Sequence, residues 1–341
     1  GDGGSDQRFG KVQESGKLPS RQADFDQGDK RRYREIVPED WILIYCILGQ
    51  TASGKTSIAI SLAKKYHLPV ISADAFQCFK MMQIGTDKPK AEEIEGLDFY
   101  FTDEYEPDHE MSVYLFQQEC RPILERYLQE GKDILVVGGN FLYVKALLFN
   151  YVFEDESLDE NPYLAMSLEE MQKLLKEKSE STYAAIDIQN PRRVIRALTL
   201  LDHGKERADI LKENDGKPLY PVEFLKVKID KELGNKKIDD RIDKMFEEGF
   251  VSEVESLLKK YPSTLRPFHC IGYDEILRAM EEGREIDDSV KEEIKIHTHQ
   301  YAKKQRTFLK HQFEGVKEGT KEEILSYLEE KLNKKGEKEY A

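Results

Sequence analysis

Short apolar runs alternate with amphipathic segments along the first half of the chain. Residues 41–48 and 134–137 are continuous apolar, β-prone runs, as expected of strands that are buried on both faces. Val70–Ser72 predicts a shorter strand. Apolar positions at helical spacing in 57–66, and again from Val113 to a stop at Gly131, predict helices between these strands. Strands separated by helices predict a parallel sheet with helical crossovers.

The pattern changes after Leu148, where the chain becomes acidic and helical. Residues 150–187 are rich in Asp and Glu and helix-prone around 168–178, and a further helix begins at Asn190-Pro191 and ends near Gly204. Strand character returns at 222–229. The later predicted helices are residues 238–248, 251–261 and 289–309. The pattern therefore predicts an α/β core that is interrupted by a helical insertion.

These changes in composition and hydrophobic pattern predict that the chain has five parts. They are a flexible leader (1–40), the first part of the core (41–148), a helical insertion domain (149–218), the second part of the core with C-terminal helices (219–330), and a charged tail (331–341). The leader is rich in Gly, Asp, Gln, Arg and Lys, which favours a flexible segment outside the fold.

Composition and charge exclude several classes of protein. The 341 residues include 52 Lys and Arg against 66 Asp and Glu, and the net charge of −14 argues against indiscriminate nucleic-acid binding. A basic face on an acidic body stays open. No apolar run reaches the roughly 18 residues of a membrane span, and we expect no secretory signal. The 4 cysteines form no CxxC pair, which fits a reducing compartment, so we expect a cytoplasmic protein.

A phosphate-binding motif follows the first predicted strand. It fits G-x-x-x-x-G-K-[ST] and consists of Gly49, Gln50, Thr51, Ala52, Ser53, Gly54, Lys55 and Thr56. In such a P-loop the backbone N–H groups converge on phosphate oxygens, Lys55 adds a positive charge, and the Thr56 hydroxyl can hold Mg²⁺. A buried strand before the loop and a helix after it favour this interpretation over an ordinary glycine-rich turn. The predicted fold is therefore α/β, a P-loop parallel-sheet core with a helical insertion domain.

Asp74 follows the second predicted strand, at the edge where open α/β sheets bind ligands. Its carboxylate can hold a metal through water, act as a base, or simply cap a helix. A typical P-loop hydrolase also carries an acidic residue after the strand at 134–137, where this chain has Gly138-Gly139-Asn140. The missing carboxylate disfavours a plain ATPase.

Further short motifs follow one another in order over residues 41–313. With the P-loop they are 72–77 (SADAFQ), 84–89 (IGTDKP), 112–116 (SVYLF), 138–143 (GGNFLY), 190–198 (NPRRVIRAL), 241–249 (RIDKMFEEG), 271–275 (IGYDE) and 300–305 (QYAKKQ). Each is weak alone except the P-loop. The ordered set resembles the tRNA dimethylallyltransferases, also called tRNA isopentenyltransferases.

The resemblance implies a transferase that moves a dimethylallyl group from dimethylallyl diphosphate to N6 of an adenine next to the tRNA anticodon. Loop amides, Lys55 and Mg²⁺ at Thr56 would stabilise the departing diphosphate. The family places an arginine at Arg241, for which a surface ion pair is the alternative. It has Thr and Gly where this chain has Asn140 and Phe141, so the amide of Asn140 would replace a hydroxyl that donates to the bridging oxygen.

The same resemblance places the adenine beside the second predicted strand. It implies that Asp74 accepts the proton of the attacking amine and that Gln77 reads the adenine edge. The intervening Ala75 and Phe76 belong to the same predicted tRNA contact. The chain departs from the family at 98–100, where a His pair is absent, and at His299, where the family has Arg.

Two basic clusters are the predicted contacts to tRNA phosphates. One comprises Arg192, Arg193 and Arg196, and the other includes Lys303 and Lys304 with Arg306 and Lys310 on a helix whose apolar side is Val290, Ile294, Tyr301 and Phe308. Taken alone, such clusters are more typical of solvated helix faces paired with Glu. The resemblance favours tRNA binding at both.

Other functions stay open at this point. The alternatives are an adenylate isopentenyltransferase acting on free adenine nucleotides, a P-loop small-molecule kinase, and a non-catalytic RNA-binding relative. The first gains support from the residues near Asn140, whereas the insertion and the basic segment at 300–305 favour tRNA. The expected partners are tRNA and dimethylallyl diphosphate, the expected cofactor is Mg²⁺, and we expect a monomer that does not bind a membrane.

Overall fold

The computed structural model describes residues 43–151, 162–202, 204, 217–313 and 315–339. The predicted leader (1–40), residues 41–42 of the first predicted strand, and most of the acidic start of the insertion (152–161) lie outside these ranges.

A six-stranded parallel sheet forms the centre of the core. Its strands are β1 (Ile44–Leu48), β2 (Val70–Ser72), β3 (Phe99–Tyr100), β4 (Ile134–Gly138), β5 (Val222–Val227) and β6 (Lys317–Gly319), paired in the order β3-β2-β4-β1-β5-β6. Every residue of β1 and β4 is buried, because helices cover both faces of the sheet. This confirms the predicted α/β fold with its parallel-sheet core.

The helices connect the strands and pack on both faces. They are α1 (Lys55–Tyr66), α2 (Ala91–Ile94), α3 (Val113–Gln129), α4 (Phe141–Leu148), α5 (Leu168–Lys178), α6 (Glu180–Ala185), α7 (Pro191–Asp202), α8 (Lys231–Glu247), α9 (Phe250–Leu258), α10 (Tyr273–Glu281), α11 (Asp288–Gln312) and α12 (Lys321–Glu339). Single 3₁₀ turns lie at Pro162–Ala165 and Arg266–His269. None of the described helices has the length and hydrophobicity to cross a membrane.

The two faces of the sheet carry separate apolar clusters. Tyr45 and Ile47 point to one side, where they join apolar residues of α1 and α12. Ile44, Cys46 and Leu48 point to the other and join a larger cluster that includes α3, α8 and α11. Because successive side chains of a strand alternate between faces, β1 belongs to both clusters.

The helical insertion has an apolar cluster of its own. Its buried members are Tyr163, Met171, Leu175, Val194, Ile195, Ala197 and Leu198. At the base of the insertion, Phe149 forms an antiparallel bridge with Pro218, and the Leu219 N–H donates to Leu148 O at 2.7 Å. These contacts support a division near the predicted limits of 149 and 218, although the limits themselves stay a prediction.

The C-terminal segment differs from the predicted charged tail. Residues 331–339 continue α12, while 340–341 lie outside the described ranges. Leu332 is buried, Lys331 pairs with Glu223, and Lys335 lies 2.9 Å from an oxygen of Asp133. The tail prediction is therefore wrong for 331–339, because lysines of this helix are held by carboxylates at the sheet.

Candidate active site

The P-loop joins β1 to α1 at the carboxyl edge of the sheet. Gly54 precedes α1 with φ +87°, a left-handed conformation that favours glycine. The Lys55 Nζ donates to Gln50 O at 3.2 Å, so the side chain folds back over the loop. The local geometry thus places the ammonium beside backbone N–H groups at the start of a helix, where anions bind.

The charge of Lys55 is controlled by its surroundings. Loss of hydration lowers the pKa of this half-buried lysine to about 8, and the nearby positive charge of Arg241 acts in the same direction. The carboxylates of Asp74 and Asp87 oppose the shift. Two cations and two carboxylates therefore influence one another at this edge of the sheet.

Asp74 lies immediately beyond β2 and is half-buried. Its Oδ1 accepts the backbone N–H groups of Phe76 at 2.9 Å and Gln77 at 3.1 Å. The carboxylate thus caps a tight turn and not a helix, while Oδ2 receives no hydrogen bond from the part of the chain that is described. One oxygen holds the turn and the other is available to a ligand.

The predicted adenine contacts occupy the turn after Asp74. Ala75 is buried and Phe76 is half-buried. The amide of Gln77 donates to the carbonyl oxygens of Thr86 at 3.1 Å and Asp87 at 3.2 Å. Gln77 therefore holds the turn to the loop at 84–89, and its role in reading adenine stays a prediction.

Arg241, on α8, reaches the same loop. Its Nη1 donates to Asp87 Oδ2 at 3.0 Å, and its side chain is 22% exposed against 57% for that of Asp87. The Nε is buried, and no described group accepts its hydrogen. Arg241 thus forms the ion pair that was the sequence-based alternative, yet it keeps an unused donor near Lys55.

The loop that carries Asp87 is fixed by Glu253, which the sequence analysis did not single out. The Glu253 carboxylate accepts three successive backbone N–H groups, from Gln83 at 3.0 Å, Ile84 at 2.7 Å and Gly85 at 3.1 Å. The Tyr273 hydroxyl donates to the same carboxylate. Glu253 therefore positions the partner of Arg241 from a distant helix.

Gln305 of α11 is a second residue that the sequence analysis did not assign to the site by itself. It is only 4% exposed. Its Oε1 accepts the Thr51 N–H at 2.8 Å, and its Nε2 donates to Gly139 O at 2.8 Å. The side chain thus connects the P-loop to the loop after β4 and occupies one amide of the predicted phosphate cradle.

Close packing explains the glycine at 139. A Cβ there would lie 2.5 Å from the Gln305 Nε2 and 3.5 Å from the Lys55 Nζ. The next residue, Asn140, precedes α4 and is half-buried, and its side chain makes no capping hydrogen bond. Phe141 is helical and stacks on Phe308 with ring centroids 5.6 Å apart, so it fits its backbone position.

The face of α11 differs from its prediction. Val290 and Ile294 are buried, as expected, but Tyr301 is 39% exposed and the stripe continues through Thr298, Ala302, Gln305 and Leu309. Polar Gln305 is buried because both ends of its amide find partners. Tyr301 consequently lies on the flank of the helix, where loss of hydration and, to a smaller extent, the charge of Asp74 raise the pKa of its hydroxyl.

The two basic clusters occupy different environments. Lys303 and Lys304 are exposed on α11, whereas the Arg306 Nη1 donates to Gln50 Oε1 at 2.7 Å and so holds the P-loop. In the insertion, Arg193 is exposed and lies 3.5 Å from Asp187, and the Arg196 Nη1 donates to the Tyr151 hydroxyl at 3.4 Å. The side chain of Arg192 lies outside the described residues. Arg306 therefore does not belong to a solvated phosphate-binding face.

Thr56 is the residue that is predicted to hold a metal ion. Its side chain is half-buried in the first turn of α1, next to Lys55. No group of three or more described His, Cys, Asp and Glu side chains is arranged to hold a metal ion. A single hydroxyl suits Mg²⁺, which keeps several waters and takes its other ligands from substrate phosphates.

Comparison with known proteins identifies relatives over most of the chain. A family model described as IPP transferase matches residues 77–312. The tRNA dimethylallyltransferase of Bacillus cereus (strain AH187) is 33% identical over 302 residues, which cover 85% of this chain and 95% of the relative. That of Bacillus thuringiensis (strain Al Hakam) is 33% identical over 323 residues, covering 91% and 98%.

Solved structures with the same fold carry related names. The tRNA delta(2)-isopentenylpyrophosphate transferase of Staphylococcus epidermidis matches with a TM-score of 0.63 and 28% identity, covering 86% of this chain and 99% of the other. The tRNA isopentenylpyrophosphate transferase of Bacillus halodurans gives 0.61 and 27%, covering 88% and 99%. A eukaryotic dimethylallyltransferase acting on tRNA gives 0.72 at 23% identity over 82% of this chain and 74% of its own, a likeness of fold.

Proposed function

The chain belongs to the IPP transferase family, and from that premise we propose that it transfers a dimethylallyl group from dimethylallyl diphosphate to N6 of an adenine adjacent to the tRNA anticodon. The relatives named tRNA dimethylallyltransferase favour this reaction over transfer to free adenine nucleotides and over a small-molecule kinase. The observation that carries the proposal is the grouping of Lys55, Arg241 and Asp74 at one edge of the sheet.

The first half of the mechanism is stabilisation of the leaving group. The bond between C1 of the dimethylallyl group and the diphosphate oxygen breaks, and its electron pair leaves with the diphosphate. Lys55 and the unpaired Nε–H of Arg241 are donors for that growing negative charge. Asn140, whose side chain caps no helix, is the proposed donor to the bridging oxygen. The Thr56 hydroxyl would hold Mg²⁺, and the ion would supply further neutralisation of the diphosphate charge.

The second half is attack by the adenine amine. The N6 lone pair forms the new bond to C1, and N6 must release one proton as the bond forms. The Asp74 Oδ2 is the proposed acceptor, because Oδ1 is already held by the N–H groups of Phe76 and Gln77. Because the turn holds Oδ1, the carboxylate has a fixed direction before the substrate binds.

Incubation with labelled dimethylallyl diphosphate tests the proposal directly. We expect label to enter unmodified tRNA in the presence of Mg²⁺ and not to enter AMP. Transfer to AMP alone would support the adenylate alternative, and phosphoryl transfer from ATP would support the kinase. Light scattering of the active protein, expected to give a monomer, and its cellular distribution, expected to be cytoplasmic, test two further parts of the proposal.

The affinity for dimethylallyl diphosphate should fall as pH rises above about 8. In the protein without dimethylallyl diphosphate, Lys55 loses its proton near this pH. The bound anion favours the charged ammonium, so above this pH the protein takes up a proton when it binds the anion. The affinity should then fall by up to about tenfold per pH unit. Titration calorimetry without tRNA, from about pH 7 to about pH 9.5, measures the slope; a flat profile for the wild type, equal to that of Lys55→Gln, would contradict a Lys55–phosphate contact.

Arg193→Glu should weaken tRNA binding and lessen its salt dependence. The arginine is exposed on α7, and one lost phosphate contact reduces the slope of log affinity against log salt by about 1. Filter binding over a range of salt measures this slope. Arg284→Glu, which removes another exposed arginine with a Glu partner, is the matched control. Equal slopes in the two variants would show that Arg193 touches no phosphate.

A further inference from the structure

Lys321 lies against the P-loop although the two are far apart in sequence. It is the first residue of α12 and is separated from β6 by Thr320 alone. A Cβ built on Gly54 would lie 2.9 Å from Lys321 Cδ, 3.6 Å from Cε and 3.7 Å from Cγ. The aliphatic stem therefore covers the glycine that precedes Lys55, and the ammonium is two bonds beyond the closest carbon.

The charge of Lys321 is not explained by a partner within its own helix. Lys331, Lys334 and Lys335 of α12 each pair with a carboxylate. No carboxylate in the described parts of the chain lies within ion-pair distance of Lys321, although Glu322 and Glu323 follow it directly. Glu323 instead accepts the Thr320 N–H at 2.8 Å.

The dipole of α12 also disfavours a cation at this position. Positive charge is destabilising at the N-terminal end of a helix, where the backbone N–H groups point outward. Lys321 is nevertheless the N-terminal residue of α12, and it is half-buried. An anion bound between the starts of α1 and α12 would turn this unfavourable charge into a favourable one.

The positive charge of Lys321 would help to neutralise a diphosphate bound at the P-loop. The Lys55 Nζ already donates a hydrogen bond to Gln50 O at 3.2 Å. Arg241 shares its guanidinium with Asp87. A diphosphate carries several negative charges, whereas Lys55 and Arg241 already donate to groups of the protein. Part of the negative charge would therefore have no cationic partner.

We propose that Lys321 is a second phosphate-binding lysine of this protein, which moves its ammonium from the surface of Gly54 onto the diphosphate held by the P-loop. The inference rests on the proposed function, because the anion concerned is the diphosphate of that reaction. It adds a contact from the C-terminal helix to a site otherwise built from the P-loop with Thr56, Arg241 of α8 and Asn140.

Two variants separate charge from packing. Lys321→Met keeps an unbranched stem on Gly54 but removes the ammonium, whereas Lys321→Arg keeps a positive charge. We expect Lys321→Met to bind dimethylallyl diphosphate about tenfold more weakly, as for loss of one charge-assisted hydrogen bond, and Lys321→Arg to bind nearly as the wild type does. The KM for tRNA should not change in either variant.

Direct calorimetric titration with dimethylallyl diphosphate and Mg²⁺, without tRNA, is the measurement. Lys334→Met, which removes a lysine paired with Glu330 on the same helix, is the matched control. Wild-type affinity in Lys321→Met, or an equal loss in Lys334→Met, would overturn the inference and leave the stem as packing only. A wild type that binds no dimethylallyl diphosphate would instead reject the proposed function itself.

Discussion

Replacing Asp74 by Asn should lower kcat for transfer to tRNA by about 10²–10⁴-fold, the usual contribution of a general base. The substitution keeps a carbonyl oxygen in the place of Oδ1, so the N–H groups of Phe76 and Gln77 still find their acceptor. The turn after β2 should therefore persist, while the oxygen that accepts the proton becomes an amide nitrogen. Affinity for tRNA and for dimethylallyl diphosphate should change little.

Single-turnover transfer and filter binding together measure this split between chemistry and binding. Asp287→Asn is a matched control, because Asp287 also accepts a backbone N–H, from Ser289 at 2.9 Å, but lies at the start of α11, away from Gln305. A normal transfer rate in Asp74→Asn would remove Asp74 from the mechanism. Loss of tRNA binding in that variant would assign the carboxylate to recognition instead.

Lys55→Ala should lower kcat by about 10²–10³-fold, the effect of removing one donor to charge that develops in the transition state. Binding of dimethylallyl diphosphate should fall as well, because the ammonium contacts the anion before it departs. The fold should survive, since charging this poorly hydrated lysine opposes folding: the unfolded chain binds its proton more readily. Thermal denaturation at neutral pH checks that expectation.

Lys65→Ala provides the control for Lys55→Ala. Lys65 lies at the opposite end of α1 and pairs with Glu329 at 2.7 Å on the surface. Both variants lose one positive charge from the same helix, but only Lys55 faces the loop. If transfer were equally slow in both, the effect would be one of stability or net charge. If Lys55→Ala kept its affinity for dimethylallyl diphosphate, the P-loop would not be the diphosphate site.

Helix α11 carries both residues that contact the P-loop and residues that are the proposed contacts to tRNA. Gln305 and Arg306 bind the P-loop through Thr51 and Gln50. Lys303 and Lys304, which directly precede them in the same helix, are exposed and are the proposed contacts to tRNA. The family-like segment at 300–305 thus contains residues with different tasks, and its basic character alone did not reveal the buried one.

The sequence predicted most elements close to their observed bounds. The buried runs became β1 and β4, and the predicted helix at 168–178 coincides with α5. These predictions succeeded because burial on two faces and helical spacing are local properties of the chain. The strand, loop and helix around residues 49–56 were predictable for the same reason, since their residues are contiguous, whereas phosphate binding by this loop stays a prediction.

The prediction of a charged tail failed although α12 carries a regular apolar pattern, because the many charged residues around it hid that pattern. Ile324, Leu328 and Leu332 recur at intervals of four on α12 and join the cluster beneath the sheet. The many Lys and Glu residues between them suggested a solvated segment. The charged side chains instead extend to carboxylates at the sheet while their stems cover apolar surface.

The sequence by itself determined the class of fold, the loop that joins β1 to α1 and the family to which the chain belongs. Only the tertiary structure decided how the site is held. Gln305 meets Thr51 across 254 positions, Glu253 meets Gln83 across 170, and Lys321 covers Gly54. Such contacts arise when strands and helices are packed together, and they leave no period or motif in the chain, because each depends on where two distant side chains come to lie.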